Sequence, residues 1–524
     1  MRITNKIMQA NNLSNINTNK INLDRLSNQQ SSQKKINRPS DDPVVAIRSL
    51  RLRSSVTEVT QYYSKNIPDA QSWLDVTEDA LVNLTEVLKN LISRCNKGAN
   101  TYLETEDRQI ILEEMKALAE EIYATGDADY AGRYVFTGFR TDTSLSFTEE
   151  LNQLFDITEQ LTIDSIDDVT SVFTDKLLDI NSENYMDTDM DVAEQDIDAV
   201  TCHRIRLAYN DCVGDGSETP SISFKKRDET TDPVSYVDVK WEGADIATMH
   251  SYEDPYTFAA NHDDAIIYVP ETGELLLGKN KYEELMAVKD DPSTTTNEGE
   301  IRVTYQKSHW EKGDLRPQHY FACTSDPGAE TELKYNENYL NEGNTNHQNI
   351  EYDVGFNQRI RINSTADECF QHGIGREVDD IMTAMQNVLD LEKIQTNLTK
   401  LMGEVEGDEE ATARLQKQLD AVNKALTLAK DKEQKLFEAG ISAFQGYMGD
   451  ANLCITECGT RGSKLALIEN RMQTQKTTFE TLKSTNEDID IAEVTIQMDS
   501  ADVIYQAALL AAGKVMQTSL LNFI

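Results

Sequence analysis

The chain has 524 residues, 27% of them charged, and a formal net charge of −41. That balance argues against a nucleic-acid partner, whose phosphates must be met by Lys and Arg, and the length allows roughly three or four domains. No stretch is apolar enough to span a membrane, and the opening MRITNKIMQANNLSNINTNK lacks the apolar core of a cleavable signal peptide, so composition alone predicts a cytoplasmic protein. The charge is uneven: residues 1–53 carry ten Lys or Arg against three acids, and residues 141–370 carry 17 bases against 49 acids. The acidic middle is expected to be a solvated outer surface that discourages non-specific association.

In chain order, the first expected element is a helix with apolar residues at Ile3, Ile7, Leu13, Ile16, Leu23 and Leu26, separated by many Asn and Ser. INRPSDDPVVA follows, residues 36–46. Pro39 moves Arg38 out of the helical region, so the first helix is expected to stop there. Asp42 is placed to cap a new helix, with Pro43 at its first position and Asp41 adding negative charge beside the helix dipole. Pro39, Ser40, Asp41, Asp42 and Pro43 therefore read as an elbow between two helices. Beyond it, Leu74, Leu81 and Leu88 recur every seven residues, interleaved with Thr77, Leu84 and Leu91, which is the seam of a long packed helix. Pro68 implies a kink or a second helix start. Ile111, Met115, Leu118 and Ile122 mark another amphipathic helix.

Alternation takes over from about residue 141 to 370, where SYVDVKW, AIIYVPETGELLLG, EIRVTYQK and EYDVGFNQRIRIN read as strands and PETG as a hairpin turn. Helix then returns, with an apolar line at Leu415, Leu419, Val422 and Leu426. Ile468, Leu482, Ile489, Ile496, Val503 and Leu510 share one heptad phase broken at Gln475. The adjacent phase turns polar at Asn486, Glu493 and Ser500. Neither the first nor the last helix reads as self-sufficient, because isolated helices are marginal and depend on packing. The fold class is mainly α with an inserted β-rich region.

A search for catalytic chemistry finds no phosphate-binding loop of the G-x-x-x-x-G-K-[ST] type and no H-E-x-x-H pair. His309 and His319 are the closest histidines and read as solvated or packing side chains. DTDMDVAEQDID alternates acids like a calcium loop but lacks its glycine and terminal glutamate, so a solvated acidic face is expected. The seven cysteines are scattered and read as small buried hydrophobes; Cys454 and Cys458, four apart, would need two further ligands to hold a metal. No catalytic residue, metal site or cofactor is expected.

SSQKKINRPSDDPVVAIRSLRLRS resembles the N-terminal signature of the flagellin superfamily, and its Pro43 and RSLRLRS are more similar to the hook–filament junction members than to filament flagellins. GRYVFTG at residues 132–138 and the segment from IENRMQTQ to LLNFI, ending at Leu520–Phe523, are similar to the same family in the same order. Where the family usually has Gly before the basic residue, this chain has Gln33. The resemblance implies a nested, flagellin-like architecture: paired terminal helices (1–42 and 485–524), a helical rod domain (43–140 and 371–484) and an outer, acidic, mainly-β insertion (141–370).

The resemblance further implies a structural, non-enzymatic layer joining hook to filament. It would be exported through the flagellar type III channel without a cleaved signal peptide, which moves the expected location outside the cell. Implied partners are further copies in a helical layer, a neighbouring hook-associated protein, flagellin, the export apparatus and an export chaperone, with no nucleic acid and no membrane insertion. The expected assembly seam is Ile3, Ile7, Leu23 and Leu26 with Ile489, Ile496, Val503 and Leu510; an ordinary intramolecular helix pair is the plainer alternative. A filament-forming flagellin, or a binding or enzymatic module displayed in residues 141–370, are the other functional readings.

Overall fold

The computed structural model describes residues 5–100, 103–214, 220–228, 235–286, 300–340, 348–405 and 407–517. Its helices are α1 (Asn5–Ser32), α2 (Pro43–Gln61), α3 (Ile67–Gly98), α4 (Thr105–Gly126), the short α5 (Asp175–Leu178), α6 (Pro255–Asn261), α7 (Lys279–Met286) and α8 (Ala366–Cys369), then α9 (Gly373–Glu404), α10 (Glu409–Glu487) and α11 (Ile491–Gln517). The β-rich region lies where alternation placed it. One six-stranded antiparallel sheet contains β3 (Leu151–Thr162), β6 (Ser221–Asp228), β7 (Ser235–Trp241), β11 (Glu300–Trp310), β12 (Ala322–Ser325) and β13 (Leu333–Tyr335), in the order β13-β12-β3-β11-β6-β7. A five-stranded sheet orders β4 (Ile166–Val172), β5 (Ala199–Arg206), β10 (Glu274–Leu277), β9 (Ile266–Val269) and β8 (Ala247–Thr248), with only β8 and β9 parallel. Two hairpins, β1–β2 (Asp129–Tyr130, Arg133–Tyr134) and β14–β15 (Glu351–Gly355, Gln358–Arg361), complete it.

The chain forms two compact units. One comprises residues 1–71, 352–360 and 462–524; the other comprises 72–351 and 361–461. In the larger unit, the α3 seam is buried throughout: Leu74, Thr77, Leu81, Leu84, Leu88 and Leu91 are all at most 2% exposed. Arg108 of α4 is buried against Glu433 of α10 at 3.1 Å and reaches Glu392 of α9 at 3.2 Å. A buried ion pair of this kind is compensated only because every charge finds a partner. Further along, Leu177, Ile180, Val192 and Ile197 pack on Leu391, Leu398, Leu415 and Val422 of α9 and α10. The acidic run DTDMDVAEQDID lies in this strap. Its Asp191 meets Lys417 at 2.8 Å and its Asp198 meets Lys424 at 3.1 Å, so basic side chains of α10 face it. The run is therefore a paired face, not the purely solvated one expected from composition.

The five-stranded sheet is tied to α9 by charge. Arg204 of β5 is buried, and holds Asp167 at 2.6 Å, Glu274 at 2.6 Å and Asp380 of α9 at 3.0 Å; Arg206 meets Asp380 at 2.7 Å. The PETG turn joins β9 to β10, with Gly273 at φ +64 and its Cα packed so closely on the Tyr209 carbonyl that a Cβ would collide. All seven cysteines are buried and free, as small hydrophobes would be. The Cys454 sulfur lies 3.6 Å from the Glu368 carbonyl and that of Cys458 3.3 Å from the Leu74 carbonyl. His309 and His319 do not meet: His309 bonds Asn152 at 2.8 Å, while His319 is buried against the Ser144 carbonyl at 3.1 Å. Among the described residues no His, Cys, Asp and Glu cluster could hold a metal ion, and no helix is long and apolar enough to cross a membrane.

Glu159 of β3 is fully buried, accepting hydrogen bonds from the Ala208 amide at 2.8 Å and from the Tyr305 hydroxyl. Burial pushes its carboxyl up to about 7. The folded state thus holds a proton that the unfolded chain gives up near pH 4.5, so stability is full below pH 4.5 and falls as pH rises to about 7. Denaturant titrations should show wild type losing up to about 3 kcal/mol more than Glu159→Gln across that window. Parallel pH profiles for the two proteins would remove Glu159 as the cause.

Candidate assembly interface

The smaller unit holds the described residues singled out for assembly. Asp42 caps α2 as its sequence predicts: its Oδ1 accepts from the Val44 and Val45 amides at 2.9 and 3.1 Å, and Pro43 occupies the first turn. Asp41 has another task. Its carboxylate accepts from the amides of Asn37 and Arg38 at 3.1 and 2.9 Å, closing the turn ahead of the helix. The first helix stops at Ser32, six residues before the expected Arg38, because Gln33 takes a left-handed conformation with φ +56. This is the conformation that favours glycine at a helix end, and here Gln adopts it at a steric cost. Pro68 is accommodated by a π-helical turn over Tyr62–Asn66, after which α3 begins at Ile67.

Glu487, the last residue of α10, is what the elbow closes on. It is 3% exposed and receives a two-pronged bond from Arg53 of α2, Nε to Oε1 at 2.7 Å and a terminal nitrogen to Oε2 at 2.9 Å. Ser49 donates to the same Oε1, and Lys34 approaches Oε2 at 3.7 Å while pairing with Asp488. Hydrogen bonding from Arg53 holds the Glu487 carboxyl at about 2, against the opposing effect of burial. Two backbone bonds flank it, Lys35 N–H to the Glu487 carbonyl at 2.7 Å and Ile489 N–H to the Gln33 carbonyl at 3.2 Å. Sequence reading missed Glu487, Arg53, Ser49 and Lys34. RSLRLRS carried the available signal, since Arg53 lies in it, but its partner is 434 residues away.

From this point α1 and α11 pack against each other. On α1 the less exposed residues include Gln9, Asn12, Ile16, Asn19, Leu23, Leu26 and Gln30; on α11 they include Val494, Met498, Ala501, Tyr505, Ala508 and Ala512. Both sets keep three- and four-residue spacing, so each helix presents one coiled-coil-like face. Across the pair, Gln30 Nε2 donates to Thr495 Oγ1 at 3.4 Å.

The expected seam residues divide between the two faces. Leu26 is buried, Leu23 and Ile489 are half-buried, and Ile7 is exposed. Ile496, Val503 and Leu510 are 70%, 65% and 72% exposed on the opposite side of α11. For these three the plain intramolecular pair does not hold: it is Val494, Met498, Ala501 and Tyr505 that turn inward. Ile3 and the LLNF motif lie outside the described residues.

Part of the chain is similar to known proteins. Residues 3–141 match the family model described as the bacterial flagellin N-terminal helical region. The chain is 24% identical over 145 residues to flagellar hook-associated protein 3 of Salmonella typhimurium, 28% of this chain and 45% of that protein. It is 25% identical over 151 residues to flagellar hook-associated protein 3 of Escherichia coli, 29% of this chain and 47% of that protein. The chain therefore spans just under half the length of these curated relatives. A solved putative flagellar hook-associated protein from Vibrio parahaemolyticus aligns at 12% identity and TM-score 0.34, covering 86% of this chain and 100% of its own. The flagellar junction protein FlgL from Legionella pneumophila aligns at 10% identity and TM-score 0.25, covering 85% of this chain and 100% of its own. The matched residues 3–141 include INRPSDDPVVAIRSL, the segment that carries the resemblance to the flagellin superfamily.

Two outcomes follow at the elbow. Because the folded Glu487 carboxyl lies below its ordinary 4.5, its stabilisation is full above pH 4.5 and is lost as pH falls towards 2. Amide exchange should show Lys35 and Ile489 losing protection in that window, and Glu487→Gln should abolish the pH dependence at a cost of about 2 kcal/mol. Gln33→Gly should raise the calorimetric midpoint, by about 0.5 kcal/mol in stability, by removing the left-handed strain.

Proposed function

We propose that the protein is a structural component of the bacterial flagellum, an adaptor layer between hook and filament that assembles by head-to-tail packing of its α1–α11 pair. The observation that carries the mechanism is the outward aliphatic row Ile496, Val503 and Leu510, on a helix whose inward face is mostly alanine, methionine and tyrosine. A helix in a finished monomer buries its larger apolar side chains; here they are left for another molecule. The location is supported by the flagellin-type residues 3–141 and by relatives whose names are flagellar hook-associated protein 3. In this reading the role is structural rather than catalytic. The layer would meet a second hook-associated protein on the hook side and flagellin on the filament side, after delivery by the flagellar export apparatus with an export chaperone. A repeated interface that does not close on itself generates such a helical layer.

Immunogold microscopy with an antibody against residues 141–370 tests the location. Gold confined to a band where hook meets filament is the expected result; label along the filament would make the protein a flagellin, and none on the organelle would end the flagellar reading. Val503→Asp places a charge in the proposed seam and should abolish layer formation while leaving the monomer folded by circular dichroism. Normal assembly of that variant would remove the outer face of α11 from the mechanism.

A further inference from the structure

α2 carries a second unpartnered apolar row. Val44, Ile47 and Leu50 are 60%, 54% and 65% exposed, whereas Ala46 and Ser49 on the other side are buried. At 100° per residue the three share one arc with Arg48 and Arg51, which are exposed and have no ion-pair partner among the described residues. Arg53 points the other way, to Glu487. α2 as a whole holds three arginines and a single glutamate.

The outer face of α11 has the opposite sign. Ile496 and Val503 are flanked by Glu493 and Asp499 on that arc, and the helix holds three acids against Lys514 alone. On α11 the acids flank the aliphatic row, whereas on α2 Arg51 lies between Val44 and Ile47 and Arg48 at the edge of the arc, so one row is basic and the other acidic.

From this we infer that the occupant of the α2 row is a second copy of this chain, presenting the Ile496–Val503 face of its α11. The inference deepens the assembly reading above and rests on it, in that it names which surface receives α11. Charge sign selects this pairing over its alternatives. Two α2 rows face to face would set Arg48 and Arg51 against their own copies, and two α11 rows would set Glu493 and Asp499 against theirs; like charges across an interface suppress such pairs. The α2–α11 combination brings Arg to Asp or Glu and aliphatic to aliphatic. It is heterologous, so each copy keeps one row free at either end and association continues.

Mixing two variants of the full-length purified chain tests the pairing. Ile47→Asp removes the α2 row and keeps α11; Val503→Asp does the reverse. Both positions are exposed, so both variants should fold, which circular dichroism checks. Sedimentation velocity should show wild type associating with rising concentration and each variant alone roughly tenfold or more weaker. An equimolar mixture should stop at dimers, because one intact row of each kind remains. Either variant associating like wild type, a mixture that stays monomeric, or wild type monomeric up to its solubility limit would each overturn the contact. As a check on charge, Arg51→Glu should weaken association and Asp499→Arg in the second copy should restore it. The two readings fail separately: a junction band in the immunogold experiment with a monomeric mixture removes only this contact, and a dimeric mixture with an unlabelled organelle removes only the flagellar location.

Discussion

The smaller unit depends on keeping one carboxylate charged while buried. Glu487 ends the 79-residue α10 where its side chain is nearly closed off from water. A lone ion there would cost several kcal/mol, and the cost is offset only because Arg53 grips both oxygens while Ser49 and Lys34 reach the same group. A fork of this kind is directional: the guanidinium plane must face the carboxylate, which fixes the middle of α2 against the end of α10. The Lys35 and Ile489 backbone bonds then fix the two strands of chain that leave the elbow. The proline-rich punctuation at residues 36–46 makes mechanical sense in this setting, since an elbow that has to deliver Ser49 and Arg53 to one buried oxygen pair cannot be loose.

What leaves the elbow is an unusual helix pair. Its inner face mixes Ile16, Leu23, Leu26 and Val494 with Gln9, Asn12 and Asn19 on α1 and Ala501, Ala508 and Ala512 on α11, groups that bury little apolar area. Its outer face keeps Ile7, Leu13, Ile21, Ile496, Val503 and Leu510 exposed. The aliphatic side chains are divided between the two faces, so the pair depends on its shared anchor as well as on its own seam. Such a pair gains most when a further helix covers the outside, which couples its order to association.

Much of this was legible in the sequence, and the failures have identifiable causes. The heptad of α3, the Asp42 cap, Pro43 at the helix start, the PETG turn and the burial of the cysteines are local or periodic signals, and they hold. The stop at Ser32 was misplaced because a proline says only that its predecessor is not helical, while a Gln in the left-handed region leaves no mark in composition. Periodicity also grouped Ile496, Val503 and Leu510 correctly, yet a period reports which residues share a face and is silent on which way it turns. Strands β3, β4 and β5 escaped because residues such as Glu159, Asp167 and Arg204 interrupt alternation, and these buried or paired polar groups are identifiable only once their partners are in place. The pairing of Arg53 with Glu487 is of the same kind, at far greater separation in sequence.

The larger unit uses its scarce basic residues in a way that bears on association. Residues 141–370 have 17 bases for 49 acids, and the structure spends several of them inward or sideways: Arg204 and Arg206 on Asp380 and Glu377, Lys307 on the Asn210 carbonyl, Arg361 on Glu368. Lys417 and Lys424, from outside that region, cover Asp191 and Asp198. Even with these pairs made, acids outnumber bases in the region by 49 to 17, so its exterior stays strongly acidic. Two copies brought together through such surfaces repel, most strongly at low ionic strength. Repulsion of this kind leaves the less acidic faces of α2 and α11, where apolar rows are open and the charges differ in sign, as the surfaces through which copies can meet.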